Sequence, residues 1–208
     1  MIYDVVFPVL GETLPTDHTY HLYGAIAKSV PVIHAPSSKI RFSSITGLAE
    51  GNGEILITKS SILRFRAEES EIKSIMPLAG KALVINLKKI YLGVPSLAVI
   101  EPCAGLYSSF VTFKNAMEPN MVLKTAAVKL TALGIKGTPT IPVISEGVRQ
   151  GEPMRRVLRI KGFTVVGYSL IVSDLSDKDS VILQEVGLGG KTKMGCGFFF
   201  PQKETMGK

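Results

Sequence analysis

Apolar and polar residues in the first half of the chain follow strand and helix periods in turn. Residues 2–9 are mostly apolar and predict a buried strand, and residues 54–58 and 62–66 predict two more. The run Pro15-Thr16-Asp17 is typical of a helix start, and apolar residues spaced three or four apart continue to Val30, where Pro31 ends the helix. A short acidic helix over 68–76 and a hairpin over 81–94 complete a β-α-β-β-α-β order.

The second half repeats this order of elements. Residues 106–114 alternate as a strand, and residues 118–133 form an amphipathic helix that Gly134 and Gly137 end. A tight hairpin over 156–161 and 164–172, a helix over 176–186 capped by Ser176, and a strand over 196–200 follow. The pattern predicts an α+β fold of two tandem ferredoxin-like, or RRM-like, domains over 1–97 and 98–208. The boundary is expected in a linker near 95–102, which carries two prolines.

Charge separates the two halves more clearly than composition does. Residues 1–104 carry ten basic and nine acidic side chains, a net of +1, whereas residues 105–208 carry fourteen and eight, a net of +6. The second half is therefore the expected surface for a polyanion. Only two cysteines occur, and they are far apart, which favours a reducing cytoplasm. No secretory signal is expected, nor is a membrane span, because the uncharged runs are too short.

A glycine-rich segment near the C-terminus is the strongest candidate for binding phosphate. It contains five glycines and two lysines and leads directly into three phenylalanines; these residues are Gly187, Gly189, Gly190, Lys191, Lys193, Gly195 and Gly197. Glycines let a polyanion approach the backbone amides closely and adopt positive φ at little cost. The segment is not a Walker A loop, because Glu185 stands where the first glycine would be, and Thr192 breaks a dinucleotide fingerprint.

Only three histidines occur, and all lie in the first fifth of the chain. His18 and His21 have a helical metal-ligand spacing, but no suitable third ligand lies nearby in sequence, so a packed or hydrogen-bonded role is favoured. His34 follows the predicted helix end in a loop that leads to Lys39 and Arg41. A histidine beside cations is well suited to proton transfer at a phosphate, although a surface histidine without a task has the same sequence signature.

Two further groups of side chains could contact RNA. Tyr20 and Tyr23, three residues apart on the first helix, could stack on a base or bond a phosphate, and packing is the common alternative. The hairpin of the second half carries a basic cluster in which alternation separates Arg159 and Lys161 from Arg156. Such a cluster can follow an RNA backbone or form an ordinary solvated face; its members are Arg155, Arg156, Arg159 and Lys161.

The two halves, with the glycine-rich loop before the last strand, resemble the RAMP superfamily of CRISPR-associated proteins. Four segments more narrowly resemble the repeat-cutting CRISPR endoribonucleases of the myxan type: residues 14–23, 30–34, 155–161 and 187–199. This resemblance implies a catalytic histidine just after the first helix, carried by His34, and a helix tyrosine, carried by Tyr20. It also implies a cation, carried by Lys39 or Arg41, and His18 is the reserve candidate for the histidine.

The resemblance further implies an endoribonuclease that cuts precursor CRISPR RNA within the repeat without a metal or cofactor. The 2′-hydroxyl before the cut would attack its own phosphate, giving a 2′,3′-cyclic phosphate and a 5′-hydroxyl. The expected partner is repeat RNA, with other CRISPR effector subunits as further candidates, and the protein is expected to be a monomer or homodimer. Two alternatives stay open: a non-catalytic RAMP subunit that binds repeat RNA, and a ferredoxin-like protein that binds a small phosphorylated ligand.

Overall fold

A computed structural model describes residues 1–202. The protein divides into two compact units of mixed α+β structure with antiparallel sheets. The first unit comprises Met1–Ile100 and Lys193–Gly195, and the second comprises Glu101–Thr192 and the residues from Cys196 onward. No helix within residues 1–202 has both the length and the apolar character needed to cross a membrane.

The first unit holds two sheets and two α-helices. Its elements are β1 (Ile2–Leu10), β2 (Thr13–Pro15), α1 (Thr19–Ser29), β3 (Arg41–Phe42), β4 (Leu48–Gly51), β5 (Glu54–Leu56), β6 (Ile62–Glu68), α2 (Glu69–Ile75), β7 (Ala82–Ile85), β8 (Lys88–Leu92) and β9 (Ser96–Val99), with short 3-10 helices at Pro31–His34 and Met76–Leu78. The larger sheet has the order β3-β6-β1-β8-β7, and β9 also pairs with β1; the smaller sheet has the order β2-β5-β4.

Alternation along β1 creates the core of the first unit. Val5, Phe7 and Val9 are buried on one face, where the Phe7 ring meets Phe65 edge-to-face at 5.7 Å. The apolar stripe of α1, which includes Leu22 and Ile26, belongs to the same core. Val5, Phe7 and Val9 of β1 thus lie in the same core as the apolar stripe of α1.

Two sequence predictions for the first unit are wrong. The second strand of the main sheet is Arg41–Phe42, not residues 54–58, because Phe42 is buried opposite Phe65 while β5 pairs with β2 in the smaller sheet. Helix α1 begins at Thr19, not residue 15, because the backbone of β2 is held by pairing with β5. Within the region 95–102, where the boundary was expected, β9 pairs with β1.

Up to residue 202, the second unit contains one sheet and two α-helices. Its elements are β10 (Leu106–Val111), α3 (Pro119–Ala132), β11 (Thr138–Thr140), β12 (Arg155–Ile160), β13 (Phe163–Ser173), α4 (Asp177–Val186) and β14 (Phe200–Pro201). The sheet order is β11-β13-β10-β14, with β12 pairing along the first half of β13. Ser176 caps α4 by accepting a hydrogen bond from the Asp179 amide at 3.1 Å, as predicted.

The second unit departs from prediction at two strands. The segment 138–140 supplies the strand that pairs with the end of β13, whereas the predicted hairpin partner β12 covers the start of the same long strand. The predicted last strand over 196–200 is limited to Phe200–Pro201, because Gly195 and Gly197 adopt φ of +81° and +62°. The backbone there turns instead of extending.

Candidate active site and RNA-binding surfaces

His34 is exposed at the end of the short 3-10 helix Pro31–His34, directly after α1. Pro31 prevents α1 from continuing, and the Ala35 amide donates to the Val32 carbonyl at 2.9 Å, which closes the turn. Ile33 is fully buried and anchors the turn in the core of the first unit. The local sequence therefore combines a fixed backbone with a histidine side chain that reaches solvent.

A tyrosine of α1 orients the His34 ring. The Tyr23 hydroxyl lies 2.7 Å from His34 Nδ1, and the two rings meet edge-to-face with centroids 5.0 Å apart. The Tyr23 ring in turn stacks on Phe42, with centroids 6.3 Å apart and an interplanar angle of 11°. Phe42 belongs to the buried core, so the imidazole is connected to a rigid support through one aromatic ring.

The hydrogen bond to Tyr23 leaves His34 Nε2 as the ring nitrogen available to a substrate. A tyrosine hydroxyl can donate to Nδ1 or accept from it, so either protonation state of the imidazole keeps its partner. Desolvation raises the pKa of Tyr23, which keeps the phenol protonated at neutral pH. The pair can therefore support Nε2 as a proton acceptor or as a proton donor.

Tyr20 and His21 lie one turn earlier on α1. Tyr20 is half-buried, and its ring meets that of the exposed His21 edge-to-face with centroids 5.6 Å apart. The helix tyrosine that bonds His34 is therefore Tyr23, whereas the family resemblance pointed to Tyr20. Both tyrosines were visible in the sequence, but the spacing alone could not tell which one faces the turn after α1.

His18 is buried, and both of its ring nitrogens are used within the protein. Nδ1 donates to the Pro15 carbonyl at 2.7 Å, and Nε2 accepts from the Ile45 amide at 3.0 Å. Burial lowers the pKa of His18, so the ring is held neutral between two loops. Among residues 1–202, no three histidine, cysteine, aspartate or glutamate side chains are grouped so that they could hold a metal ion.

Lys39, one of the two cations expected beside His34, pairs with a carboxylate elsewhere in the first unit. Lys39 Nζ pairs with Glu68 at 2.5 Å, and that hydrogen bond raises the pKa of the Lys39 ammonium. Arg41 alternates with Phe42 on β3 and lies opposite Arg66, so its side chain leaves the sheet on the face away from Tyr23.

A different cation contacts the residue that follows His34. Lys193 Nζ donates to the carbonyl of Ala35, the residue after His34, at 2.5 Å. Lys193 is half-buried in a short 3-10 helix, Thr192–Met194. Sequence reasoning placed Lys193 among the RNA-binding residues and gave no signal for this contact, because 158 positions separate the two residues.

The glycines of the C-terminal loop are needed first for packing. A Cβ at Gly189 would lie 2.7 Å from the Thr112 carbonyl oxygen, and one at Gly197 would overlap the backbone of Leu188. The amides of Gly190 and Gly197 donate to Thr112 and Phe110 at 2.8 and 2.7 Å. These amides are thus occupied by the protein, and direct RNA contact by Gly187, Gly189, Gly190, Lys191, Lys193, Gly195 and Gly197 stays a prediction.

The basic hairpin presents its arginines on both faces. Arg155, Val157 and Arg159 are exposed on one face of β12. Arg156 lies on the opposite face with Leu158, and its Nε is 3.5 Å from Ser169 Oγ. Lys161 was expected in the strand beside Arg159 but occupies the turn with a φ of +49°. Contact of this cluster with RNA also stays a prediction.

Comparisons with known proteins agree on one family. The family model described as Cas6 Crispr matches residues 3–204. A Myxococcus xanthus (strain DK1622) protein, CRISPR-associated endonuclease Cas6, is 35% identical over 198 residues, which cover 95% of this chain and 80% of that protein.

Solved structures agree at the level of the fold. A CRISPR associated protein Cas6 matches with a TM-score of 0.64 and 13% identity over 98% of this chain and 99% of that one. A structure described as an RAMP protein binding different RNA substrates matches with a TM-score of 0.63 and 16% identity over 98% of this chain and 100% of that one.

Proposed function

The chain belongs to the Cas6 family of CRISPR proteins, and from that premise we propose that it is an endoribonuclease that cleaves precursor CRISPR RNA within the repeat. The observation that carries the proposal is the hydrogen bond between Tyr23 and His34, because it gives an exposed imidazole a fixed direction and a free nitrogen. Histidine side chains in general exchange protons near neutral pH, so an oriented histidine suits general acid–base cleavage of RNA.

The proposed reaction is metal-independent transesterification. The 2′-hydroxyl before the cut loses its proton and attacks the adjacent phosphorus, so a 2′-O–P bond forms as the P–O5′ bond breaks. The 5′-oxygen takes a proton, and the products are a 2′,3′-cyclic phosphate and a 5′-hydroxyl. His34 Nε2 performs one of these two proton transfers, and Tyr23 holds the ring through Nδ1. No cofactor enters the scheme.

His34, and not the reserve candidate His18, is proposed as the reacting histidine. His18 would have to give up a backbone hydrogen bond and leave a buried site before it could reach RNA. Tyr20 is proposed to contact RNA beside the site, and Lys39 and Arg41 are proposed to hold the nucleic acid rather than the scissile phosphate.

RNA binding is proposed to use the basic hairpin and the glycine-rich loop of the second unit. The arginines of β12 are exposed and close together, which suits contact with successive phosphates.

We further propose that both units are ferredoxin-like domains with boundaries near 1–97 and 98–208. The strand orders β3-β6-β1-β8 and β11-β13-β10-β14 support this proposal. Across each sheet, the strands that come second, third, first and fourth along a β-α-β-β-α-β chain lie side by side in that order. A cytoplasmic location follows from the proposed substrate.

The test is cleavage of end-labelled repeat RNA in excess EDTA by wild type, His34→Ala and His21→Ala. Loss of a general acid or base should slow cleavage by His34→Ala roughly 10²- to 10⁴-fold with similar RNA affinity. His21 is an exposed histidine of α1 and is the matched control, which should cut at the wild-type rate. Binding of RNA without cleavage by wild type would favour a non-catalytic RAMP subunit, and neither binding nor cleavage would favour a small phosphorylated ligand.

A further inference from the structure

A lysine from the far end of the chain contacts the residue that follows the candidate catalytic histidine. Lys193 Nζ donates to the Ala35 carbonyl at 2.5 Å. Ala35 directly follows the 3-10 helix whose last residue is His34. The segment Lys193–Gly195 belongs to the first unit, although its neighbours in sequence belong to the second. The C-terminal loop therefore supplies a charged side chain to the edge of the His34 site.

Gly195 fixes the position of this segment. Its φ is +81°, and a Cβ there would lie 2.5 Å from Thr19 Cγ2 and 3.3 Å from Phe42 Cε2. The backbone after Lys193 thus packs against the first residue of α1 and against the same Phe42 ring that stacks on Tyr23. One aromatic side chain consequently sets the positions of both the Lys193 segment and the tyrosine that orients His34.

The charge of Lys193 is not neutralised by a carboxylate within the described part of the chain. None of the ion pairs among residues 1–202 includes Lys193, whereas Lys39 is paired with Glu68. An ammonium has three N–H donors, and the Ala35 carbonyl uses one of them. As far as residues 1–202 show, two of its donors remain for an anionic ligand at this edge.

From these contacts we propose that Lys193 is a further catalytic residue, whose ammonium donates to a non-bridging oxygen of the scissile phosphate and stabilises the negative charge that develops on the phosphorane. The proposal rests on the proposed endoribonuclease function. Lys193 keeps its protons throughout; the proton transfers stay with the 2′-hydroxyl, His34 and the leaving 5′-oxygen. A preorganised cation aimed at charge that grows in the transition state raises the rate more than it raises RNA affinity.

The test compares single-turnover cleavage at saturating RNA for Lys193→Ala, Lys191→Ala and Lys59→Ala. Removing one charge-stabilising donor should slow Lys193→Ala by roughly 10²- to 10³-fold. Lys191 lies two residues earlier in the same loop and is exposed, so its alanine variant should mainly weaken binding and should slow cleavage at saturation less than Lys193→Ala does. Lys59, in the exposed turn before β6, controls for the loss of one surface charge and should change neither quantity.

Two conservative variants separate charge from structure. Lys193→Gln can still donate to the Ala35 carbonyl but carries no charge, and Lys193→Arg keeps both. If Lys193 acts on the phosphate, the glutamine variant should be as slow as alanine while arginine restores most of the rate. A glutamine variant with the wild-type rate would reduce Lys193 to a structural contact and overturn the proposal, and so would equal slowing of Lys191→Ala.

Failure of this inference can be told apart from failure of the proposed function. If His34→Ala is slow and Lys193→Ala cuts at the wild-type rate, only the role of Lys193 is overturned. If wild type does not cut repeat RNA in EDTA, the proposed function fails and the role of Lys193 fails with it. Thermal unfolding of each variant verifies folding, and the arginine variant provides the comparison if alanine does not fold.

Discussion

The Tyr23 hydroxyl lies 2.7 Å from His34 Nδ1 while the Tyr23 ring stacks on Phe42, so one side chain connects the imidazole to the core of the first unit. A phenylalanine at position 23 would keep the stack and lose the hydrogen bond. Because a neutral hydrogen bond is worth about 1 kcal/mol and 1.36 kcal/mol is tenfold in rate, Tyr23→Phe should slow single-turnover cleavage by roughly three- to tenfold. RNA affinity should change little.

Tyr20→Phe is the matched control for this prediction, because it removes a hydroxyl from the same helix one turn earlier. The rate constant of Tyr20→Phe at saturating RNA should stay above that of Tyr23→Phe. Slower cleavage by Tyr20→Phe than by Tyr23→Phe would return the orienting role to the tyrosine that the family resemblance indicated.

The sequence was sufficient to predict the elements around the site but not their contacts. Pro31 and the apolar stripe ending at Val30 predicted the end of α1 and placed His34 just beyond it. Arg41–Phe42 could not be recognised as a strand from two residues, and only the burial of Phe42 opposite Phe65 explains why the chain pairs there. The contact of Lys193 with Ala35 depends on tertiary folding, and no local pattern encodes it.

Burial of His18 should make the stability of the protein depend on pH. The folded pKa of His18 lies below its ordinary value of 6.5, so below that pH the unfolded chain binds a proton that the folded chain does not. The stability that the neutral His18 ring contributes to the free energy of unfolding is complete above pH 6.5. It is lost as the pH falls below 6.5, by at most about 1.4 kcal/mol per pH unit.

Urea unfolding of wild type, His18→Asn and His21→Ala at about pH 7.5 and about pH 5.5 measures this effect. The difference in free energy of unfolding between the two pH values should be smaller for His18→Asn than for the other two proteins. An undiminished difference in His18→Asn would assign the pH dependence to other groups.

Gly190→Ala distinguishes RNA contact from packing in the glycine-rich loop. A Cβ at Gly190 meets only the Thr112 carbonyl oxygen, at an ordinary 3.7 Å, whereas one at Gly197 overlaps the backbone of Leu188 at a φ of +62°. Gly197→Ala should therefore lower the melting temperature, and Gly190→Ala should not. If RNA approaches the loop closely, filter binding should still show weaker affinity for Gly190→Ala. Wild-type affinity in this stably folded variant would remove the Gly190 backbone from the RNA interface.

Phosphate contacts by the hairpin should appear in the salt dependence of binding. Arg155 and Arg159 are exposed on the same face of β12. Alanine at either position should lower the slope of log affinity against log salt by roughly 0.7 to 0.9 for each lost phosphate contact. Arg156→Ala tests the opposite face, and Lys161→Ala tests the turn. Unchanged slopes in all four variants would place the RNA path elsewhere.

The most direct measurement compares two repeat RNAs in excess EDTA, one all-ribose and one with a single 2′-deoxyribose immediately before the cut. Because the proposed nucleophile is the 2′-hydroxyl of the RNA and His34 performs one of the two proton transfers, the all-ribose RNA should be cut to a 2′,3′-cyclic phosphate and a 5′-hydroxyl. The 2′-deoxy RNA should bind and remain whole. Cleavage of the 2′-deoxy RNA, or cleavage of the all-ribose RNA only after Mg²⁺ is added, would contradict this mechanism and indicate a water nucleophile.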